Sequence, residues 1–196
     1  EDNIEYYSNV RTYQAISRAD VVLVMLDANK GVMKQDKTIA QYVIQKGKGL
    51  VMVVNKWDLV TKNSSTLKEF QRKITHQFKA LDYYPSIFIS ALTKQRVSKV
   101  LDFVWNVYQA RQQKINTKDL NSWLEKVQRI KAPPAPKGKE IKIKFITQVN
   151  VSPPIFACFC NYPKLMPASY QRFFENQFRE SFNFEGVPLI FSFRKK

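Results

Sequence analysis

Three short apolar runs in the first half of the chain, at residues 21–26, 51–54 and 87–89, are each followed by polar residues. They are too short for helices, and their β-branched bias suits strands buried on both faces of a parallel sheet. Segments with apolar residues at helical spacing lie around them, at residues 1–20, 35–46, 66–81 and 97–108. This alternation predicts a doubly wound α/β domain with parallel strands and right-handed crossovers. The apolar residues of the last helix are Val97, Val100, Leu101, Val104 and Tyr108.

The pattern changes after residue 114, and we place a domain boundary there, between residues 1–114 and residues 115–196. The predicted elements of the second domain are, in order, a helix at 117–130, a proline-rich connector at 132–138, strands at 140–150 and 155–160, a helix at 168–182 and a strand at 189–193. The order α-β-β-α-β predicts a small α+β layer.

Residues 140–150 alternate in polarity, which predicts a strand with two different faces. Ile141, Ile143 and Phe145 share one face. Lys142, Lys144 and Ile146 share the other, which we expect to be partly wet and basic. The phenylalanines of the last part are expected in the core rather than as stacking platforms for bases. They are Phe173, Phe174, Phe178, Phe182 and Phe184.

The polar residues that follow the second strand are Asn55-Lys56-Trp57-Asp58. They lie past the carboxyl end of a strand, where open α/β sheets bind their ligands. The Asp58 carboxylate can accept two parallel hydrogen bonds from the ring N–H and exocyclic amine of guanine, a donor pair that adenine lacks. The amide of Asn55 can donate to the base and connect neighbouring loops, and Lys56 can lay its stem over the base with its ammonium in water. The alternative is an ordinary polar turn.

The residues that follow the third strand favour guanine recognition. Ser90-Ala91-Leu92 is similar to the S-A-[KL] loop of GTP-binding domains, in which a backbone N–H, here that of Ala91, donates to the guanine oxygen. Ser90 is expected to help position Asp58. Two such loops on successive strands predict a guanine site made of Asn55, Lys56, Asp58, Ser90, Ala91 and Leu92.

The phosphate-binding motifs of nucleotide hydrolases are absent from these 196 residues. A P-loop requires G-x-x-x-x-G-K-[ST], because backbone N–H groups surround the phosphates and a lysine reaches the terminal ones. The five glycines do not supply that spacing, and no D-x-x-G is present to hold magnesium. We therefore expect no catalytic residue, no metal ligand, no GTP hydrolysis and no tight nucleotide binding from this chain as given.

Basic residues outnumber acidic ones by 32 to 16, a net charge of +16. Residues 115–196 carry 14 basic and 6 acidic residues, a net charge of +8 on the shorter part of the chain. This excess predicts attraction to a polyanion, and we favour RNA. A generally basic proteome or a solubility effect is the alternative.

Cys158 and Cys160 lie two residues apart on one predicted strand, so they share a face and cannot easily form a disulfide. We expect a buried, reduced pair in a cytoplasmic or otherwise reducing compartment. No apolar run approaches the ~20 residues of a membrane span, and the first residues are polar rather than a signal sequence. The sequence begins at Glu1 without a methionine, from which we expect that residues upstream were removed.

Beyond the guanine motifs, a longer set of residues resembles the carboxyl-terminal portion of the Der (EngA) family, bacterial GTPases with two tandem G domains and a KH-like third domain. These residues are Gly138-Lys139, Thr147-Gln148, Pro153-Pro154-Ile155-Phe156, Asn161, Ser169-Tyr170, Arg172, Glu175-Asn176, Arg179-Glu180 and Phe184-Glu185-Gly186-Val187-Pro188. The resemblance implies a second G domain without its phosphate half, a partial P-loop GTPase fold, followed by a KH-like domain. It also implies a parent protein that hydrolyses GTP with Mg²⁺ and assists assembly of the large ribosomal subunit, with ribosomal RNA as a partner.

KH modules usually hold RNA with a G-x-x-G loop, and the turn Asn161-Tyr162-Pro163-Lys164 has no glycine. For this domain we therefore expect a packing or docking role against a G domain or ribosomal RNA at least as much as sequence-specific recognition of RNA. The alternative function is a non-catalytic scaffold that binds RNA or the ribosome. Half of a G-domain sheet would leave unpaired backbone groups on one strand edge, so we also expect self-association through that edge.

Overall fold

The computed structural model describes residues 2–61, 66–77 and 82–195, which form two compact units. The first unit contains Glu1–Gln109 and Glu185–Pro188, and the second contains Ala110–Phe184 and Leu189–Lys196. Each unit has a three-stranded sheet. Within the described ranges, no helix has both the length and the apolar character needed to cross a membrane.

The first unit alternates helices and strands, as the hydrophobic pattern predicts. Its elements are α1 (Asp2–Arg18), β1 (Val21–Asp27), α2 (Lys34–Gln45), β2 (Gly49–Asn55), a 3₁₀ turn (Trp57–Leu59), α3 (Thr66–Gln77), β3 (Ser86–Phe88) and α4 (Lys99–Arg111). The strands are parallel and lie in the order β1-β2-β3. The predicted α/β fold is confirmed, while residues 78–81 of the third predicted helix lie outside the described residues.

The central strand β2 is the buried axis of this unit. It pairs with β1 on one side and β3 on the other, and Leu50, Val51, Met52, Val53 and Val54 are all buried. A strand with a neighbour on each edge and both faces covered needs apolar side chains at every position. This is why β2 has no polar residue until Asn55, its last residue.

The expectation that β1 is a fully buried strand is wrong. Val24 and Leu26 lie in the core, but Leu23 and Met25 on the other face are 43% and 58% exposed. Among the described strands, none pairs with the outer edge of β1. A continuous apolar run shows that a strand can be buried on two faces, but local sequence does not show whether both faces are covered.

Helix α4 also exposes some of its apolar side chains. The sequence pattern predicted that they lie on the same stripe as the buried ones. Val100 is buried, but Leu101 is exposed and Val97 lies before the first residue of the helix. The buried side of the helix also includes Val107. Leu101 and Trp105 instead line an open cleft of about 570 Å³. The helix therefore has two apolar sides, of which only one packs on the sheet.

The segment 185–188 completes the first unit by extending the backbone pairing of β2. The N–H of Leu50 donates to the carbonyl of Gly186 at 2.9 Å, and the N–H of Gly186 donates to the carbonyl of Tyr83 at 2.8 Å. Gly186 has a φ of +74°, and a Cβ at this position would lie 2.4 Å from Cγ2 of Val107. Glycine is therefore required both by the backbone conformation and by the space available.

The second unit packs two helices against its sheet. Its elements are α5 (Thr117–Ile130), a 3₁₀ turn (Pro136–Gly138), β4 (Ile143–Asn150), β5 (Ile155–Cys160), a second 3₁₀ turn (Pro163–Leu165), α6 (Ala168–Ser181) and β6 (Ile190–Lys195). The central β5 is antiparallel to β4 and parallel to β6. The predicted α+β layer is confirmed. Phe174, Phe178 and Phe184 are buried in its core, where the ring of Trp123 meets the rings of Phe174 and Phe178 edge-on.

The strand β4 differs from its prediction in both start and facing. It begins at Ile143 rather than at residue 140, and its register shifts between Ile143 and Phe145. This irregularity reverses the alternation, so Ile146 is buried and Phe145 is exposed, opposite to the predicted faces. The side chain of Asn121 donates to the Ile146 carbonyl and accepts from its N–H, and Gln128 donates to the Ile143 carbonyl. Helix α5 thus satisfies the backbone groups along the β4 edge.

The two cysteines lie on β5, and both are free and buried. Burial raises the pKa of the Cys158 thiol, and the neighbouring Cys160 raises it further. Burial also raises the pKa of Cys160. Both side chains therefore stay protonated and pack as small apolar groups.

Candidate guanine-binding site

The ends of the first unit's three strands meet at one edge of its sheet. In the strand register Asp27 is the partner of Asn55, and Val54 is the partner of Phe88. Because parallel strands end on the same side, the loop after β2 and the loop after β3 become neighbours. All six residues predicted for the guanine site lie in these two loops or at the end of β2.

The side-chain amide of Asn55 connects the two loops. Its Oδ1 accepts hydrogen bonds from the backbone N–H of Lys56 at 2.8 Å and from the backbone N–H of Ala91 at 3.0 Å. Its Nδ2 lies 3.7 Å from the sulfur of Met25. A sulfur is a weak acceptor, so this amine keeps most of its capacity to donate to a ligand.

The backbone N–H of Ala91 points toward the same edge, but in this structure Asn55 is its acceptor. The Ser90-Ala91-Leu92 motif predicts that this N–H donates to the oxygen of a base. It can do so only by sharing its hydrogen with the base oxygen or by releasing Asn55. Base binding at Ala91 is therefore coupled to the position of the Asn55 side chain.

The ammonium of Lys56 forms an ion pair, while its side chain stays 54% exposed. Its Nζ lies 2.7 Å from Oδ2 of Asp27, at the end of β1. The backbone of Lys56 is left-handed, with a φ of 63° and a ψ of 33°, which turns the chain sharply after β2. The hydrogen bond from Lys56 lowers the pKa of the Asp27 carboxyl, and a second one from the backbone N–H of Asn29 lowers it further.

Asp27 is a member of this edge that sequence reasoning missed. Asp27 directly follows the apolar run at residues 21–26 and belongs to neither of the two guanine motifs. The available signal was its position, since a polar residue that ends one parallel strand lies beside the polar residue that ends the next.

Trp57 fixes the turn between Asn55 and Asp58. The Trp57 indole is buried and contacts the rings of Phe70 and Phe88. The backbone N–H of Trp57 donates to the carbonyl of Ile89 at 3.0 Å. The 3₁₀ turn that carries Asp58 is therefore attached to the core. An ordinary polar turn would not need so large a buried anchor.

Asp58 is half-buried, and among the described residues nothing donates a hydrogen bond to its carboxylate. Its oxygens are thus free to accept from a ligand. The expected contact from Ser90 is not formed. The Ser90 hydroxyl oxygen instead accepts from the backbone N–H of Thr93 at 3.1 Å, so it shapes its own loop.

The loop after β3 is exposed and held at its base. Ser90, which is buried, forms a bridge with Gln95 that closes the loop. Leu92 at its tip is 84% exposed. Lys94 and Arg96 both have left-handed backbone angles, with φ values of 61° and 58°. Leu92 offers an apolar surface, and these two residues supply positive charge near it.

The described residues offer magnesium no cluster of carboxylate, histidine or cysteine ligands. Across the described ranges, no group of three or more His, Cys, Asp or Glu side chains could hold a metal ion. Asp27, at the end of β1, is already paired with Lys56. The described residues therefore do not fit a magnesium site.

Family models match both parts of the chain. Residues 4–110 match the model described as the elongation factor Tu GTP binding domain. Residues 114–194 match the model described as KH-domain-like of EngA bacterial GTPase enzymes, C-terminal. The first match alone covers more than half of the chain.

Relatives along the whole chain are GTPases named Der. The chain is 44% identical to GTPase Der of Chlorobium phaeobacteroides (strain BS1) over 193 residues, which is 98% of this chain and 44% of that protein. It is also 44% identical to GTPase Der of Heliobacterium modesticaldum (strain ATCC 51547 / Ice1) over 196 residues, which is 100% of this chain and 44% of that protein. The chain thus spans less than half of the length of these relatives.

A solved structure, an Aquifex aeolicus Era variant bound to GDP.AlF4−, is similar at 18% identity and a TM-score of 0.41. The likeness covers 94% of this chain and 67% of that chain. The fold, the two family models and the relatives agree without it. This chain belongs to the Der (EngA) family of GTPases and corresponds to the carboxyl-terminal part of its members.

Proposed function

We propose that this chain recognises the guanine base within a GTP-binding, GTP-hydrolysing protein that acts in assembly of the large ribosomal subunit. The observation that carries the proposal is the junction of the two loops, where Asn55 Oδ1 accepts from the N–H of Ala91 at 3.0 Å. This junction places the amide of Asn55 and the backbone of Ala91 beside the turn that carries Asp58.

Asp58 provides the selectivity. Its two carboxylate oxygens accept from the ring N–H and the exocyclic amine of guanine, a bidentate and charge-assisted arrangement. Adenine presents an acceptor where guanine presents its ring N–H, so it meets the carboxylate with a repulsive lone pair. The absence of a competing donor to Asp58 among the described residues supports this role.

Lys56 and Leu92 complete the base site from two sides. The ion pair with Asp27 holds the Lys56 side chain along the strand ends, where its methylene stem can cover one face of a base. Leu92, which is exposed at the tip of its loop, supplies apolar surface at the rim. Binding of the base would bury part of this surface.

GTP or GDP and Mg²⁺ are assigned to the whole protein rather than to this chain alone. The described residues offer no set of carboxylates for the metal, and the sequence has no P-loop. Most nucleotide affinity and the hydrolytic groups reside in those parts of a GTPase. Residues 1–196 by themselves are therefore not expected to bind nucleotide tightly.

Ribosomal RNA is the proposed macromolecular partner, in the cytoplasm. The support is the charge, because residues 115–196 carry 14 basic and 6 acidic side chains. A net positive surface attracts the phosphate backbone at long range. The KH-like unit is the part of the chain that we assign to this contact.

The test is GTP turnover by the full-length protein, with residues 1–196 assayed beside it. Turnover is expected in the full-length protein only, with GTP preferred over ATP by a large factor. The full-length Asp58→Ala variant is expected to lose that preference. Turnover by neither protein would overturn the enzymatic proposal.

A non-catalytic scaffold that binds RNA or the ribosome is the second candidate. It is favoured by the same net charge and by the absence, within the described residues, of a metal-binding cluster. It predicts that RNA binding is the same with GDP, with GTP and without nucleotide. A nucleotide-dependent change in RNA affinity would count against it.

Self-association through the edge of β1 is a further part of the proposal. Among the described strands, none pairs with that edge, and Leu23 and Met25 expose apolar surface beside it. A second copy can supply a strand that satisfies the open backbone groups. We assign this behaviour to residues 1–196 when they are prepared alone.

A further inference from the structure

A basic cleft of about 660 Å³ lies at one end of the sheet in the second unit. Lysines from three different places line it: Lys144 on β4, Lys164 in the 3₁₀ turn, and Lys195 at the end of β6. Asn161 and Tyr162 form the wall between them. None of these residues belongs to the guanine site.

The strand register explains why the lysines converge. Cys160, the last residue of β5, pairs with Ile143 on one side and with Lys195 on the other. Lys144 follows Ile143 at the irregularity of β4, and the chain after Cys160 turns directly into the segment that carries Lys164. Three cations are thus gathered around the end of the central strand.

The positive charge of the cleft is not neutralised within the described part of the chain. Lys144, Lys164 and Lys195 are exposed, and none of them forms an ion pair there. The carboxylate nearest in sequence to this region, Glu140, is already paired with Lys142 at 3.2 Å. Among the residues that line the cleft there is no acidic side chain.

Tyr162 gives the cleft an aromatic surface on a rigid support. Tyr162 is 40% exposed, and the ammonium of Lys139 lies 5.6 Å from the centroid of the Tyr162 ring. The carbonyl of Tyr162 accepts from the N–H of Leu165 at 3.1 Å, which closes the turn. Asn161 ties this turn to the neighbouring segment by donating to the carbonyl of Glu140 and accepting from the N–H of Lys142.

We infer that this cleft binds the backbone of single-stranded RNA, with phosphates held by Lys144, Lys164 and Lys195 and one base stacked on Tyr162. Three ammonium groups without a carboxylate select a polyanion. An exposed aromatic ring beside them selects a strand with unstacked bases over a duplex. The site needs no glycine loop, because side chains rather than backbone N–H groups hold the phosphates. The inference rests on the proposed RNA partner and gives it a location.

The test measures binding of a fluorescein-labelled single-stranded RNA of mixed sequence to the full-length protein by anisotropy. The triple variant Lys144→Gln, Lys164→Gln, Lys195→Gln removes the cations of the cleft. Its matched control is Lys114→Gln, Lys118→Gln, Lys126→Gln, which removes the same charge from exposed positions elsewhere in the second unit. We expect the cleft variant to weaken binding at least about tenfold more than the control and to lower the salt slope by about 2, since each phosphate contact on a single strand contributes about 0.7.

Tyr162 is tested separately from charge. Tyr162→Ala is expected to weaken binding by about five- to hundredfold, the range for loss of one stacked base, while Tyr162→Phe keeps the ring and most of the affinity. A duplex RNA of the same sequence is expected to bind more weakly than the single strand and to be insensitive to Tyr162→Ala. Circular dichroism and thermal unfolding of each variant establish that it is folded.

The outcomes separate this inference from the proposed function. Equal loss in the cleft variant and the control, or full affinity in Tyr162→Ala, would overturn the cleft as the site while leaving RNA as a partner. No RNA binding by the wild-type protein would overturn both the partner and the cleft. Unlabelled inorganic polyphosphate is compared with unlabelled RNA as a competitor of the labelled RNA. If polyphosphate displaces the labelled RNA from the wild-type protein and from Tyr162→Ala as well as unlabelled RNA does, the cleft is a general anion site and the inference is overturned.

Discussion

The Oδ1 atom of Asn55 accepts a hydrogen bond from the backbone N–H of Ala91 across 36 residues of sequence, at 3.0 Å. One residue ends β2 and the other lies in the loop after β3. A single side chain therefore sets the spacing between the two loops that we assign to guanine.

Asn55→Ala should separate the two loops. The Ala91 N–H would exchange its acceptor for water, because Ala91 is exposed, and the free energy of unfolding should fall by about 0.5–1.5 kcal/mol, the net contribution of one hydrogen bond. Guanine-nucleotide affinity of the full-length protein should fall by at least about tenfold. The matched control is Asn29→Ala in the exposed loop after β1, which should change neither quantity. Equal affinity in Asn55→Ala and the wild-type protein would remove Asn55 from the site.

Trp57→Ala should unfold the turn that carries Asp58. The indole is buried among the rings of Phe70 and Phe88, and removal of such a side chain costs about 3–5 kcal/mol. Trp57→Phe fills part of the same space and should cost clearly less. Urea denaturation measures both variants. If the two substitutions cost the same, the indole is not the anchor of the turn.

The Lys56–Asp27 ion pair should make the stability of the first unit depend on acid pH. The hydrogen bond from Lys56 lowers the pKa of Asp27 below its ordinary value of 3.8. A carboxyl with a lowered pKa contributes stability that is present above its unfolded pKa and is lost as the pH falls below it. Asp27→Asn should therefore reduce the thermal midpoint near neutral pH and have a smaller effect below pH ~4.

The control for this prediction is Asp36→Asn, which removes a carboxylate that accepts only from the backbone N–H of Met33. Its effect should not depend on Lys56. A double mutant that combines Asp27→Asn with Lys56→Gln should be no less stable than Asp27→Asn alone. Additive losses would show that the two residues do not act as a pair.

Self-association of residues 1–196 should depend on the exposed face beside the β1 edge. Leu23 is 43% exposed next to backbone groups that no described strand satisfies. Leu23→Lys places a charge on that face and should shift the preparation toward monomer in analytical ultracentrifugation. Ile130→Lys, at an exposed apolar residue of the second unit, is the control and should leave the distribution unchanged. A wild-type preparation that stays monomeric at high concentration would contradict the proposal.

The sequence was sufficient for the parts of the fold that depend on local pattern. The runs at β1, β2 and β3 predicted three parallel strands, because β-branched residues and intervening helices leave few other topologies. It failed where burial depends on distant neighbours. Leu23 and Leu101 are as apolar as the core residues beside them, but nothing in their own segments tells whether a further element covers them.

For the candidate site, too, the sequence predicted the positions of residues but not all of their contacts. The residues of the two motifs, among them Asn55, Asp58 and Ala91, lie at one edge of the sheet, because strand ends converge in a parallel sheet. The motifs did not predict that Lys56 pairs with Asp27, or that Ser90 contacts Thr93 rather than Asp58. These contacts depend on side-chain directions and on loop closure by Gln95, which no motif contains. The irregularity in β4, which reversed the facing of Phe145 and Ile146, was hidden for the same reason.

The most direct test of guanine recognition is the nucleotide preference of the full-length Asp58→Asn variant. The asparagine amine donates to the added oxygen of xanthine, and its carbonyl still accepts from the ring N–H, whereas guanine meets it with a donor against a donor. We predict that the variant loses about tenfold or more in affinity for GTP and gains for xanthosine triphosphate, so that the preference reverses. An unchanged preference for GTP in a folded variant would show that Asp58 does not read the base.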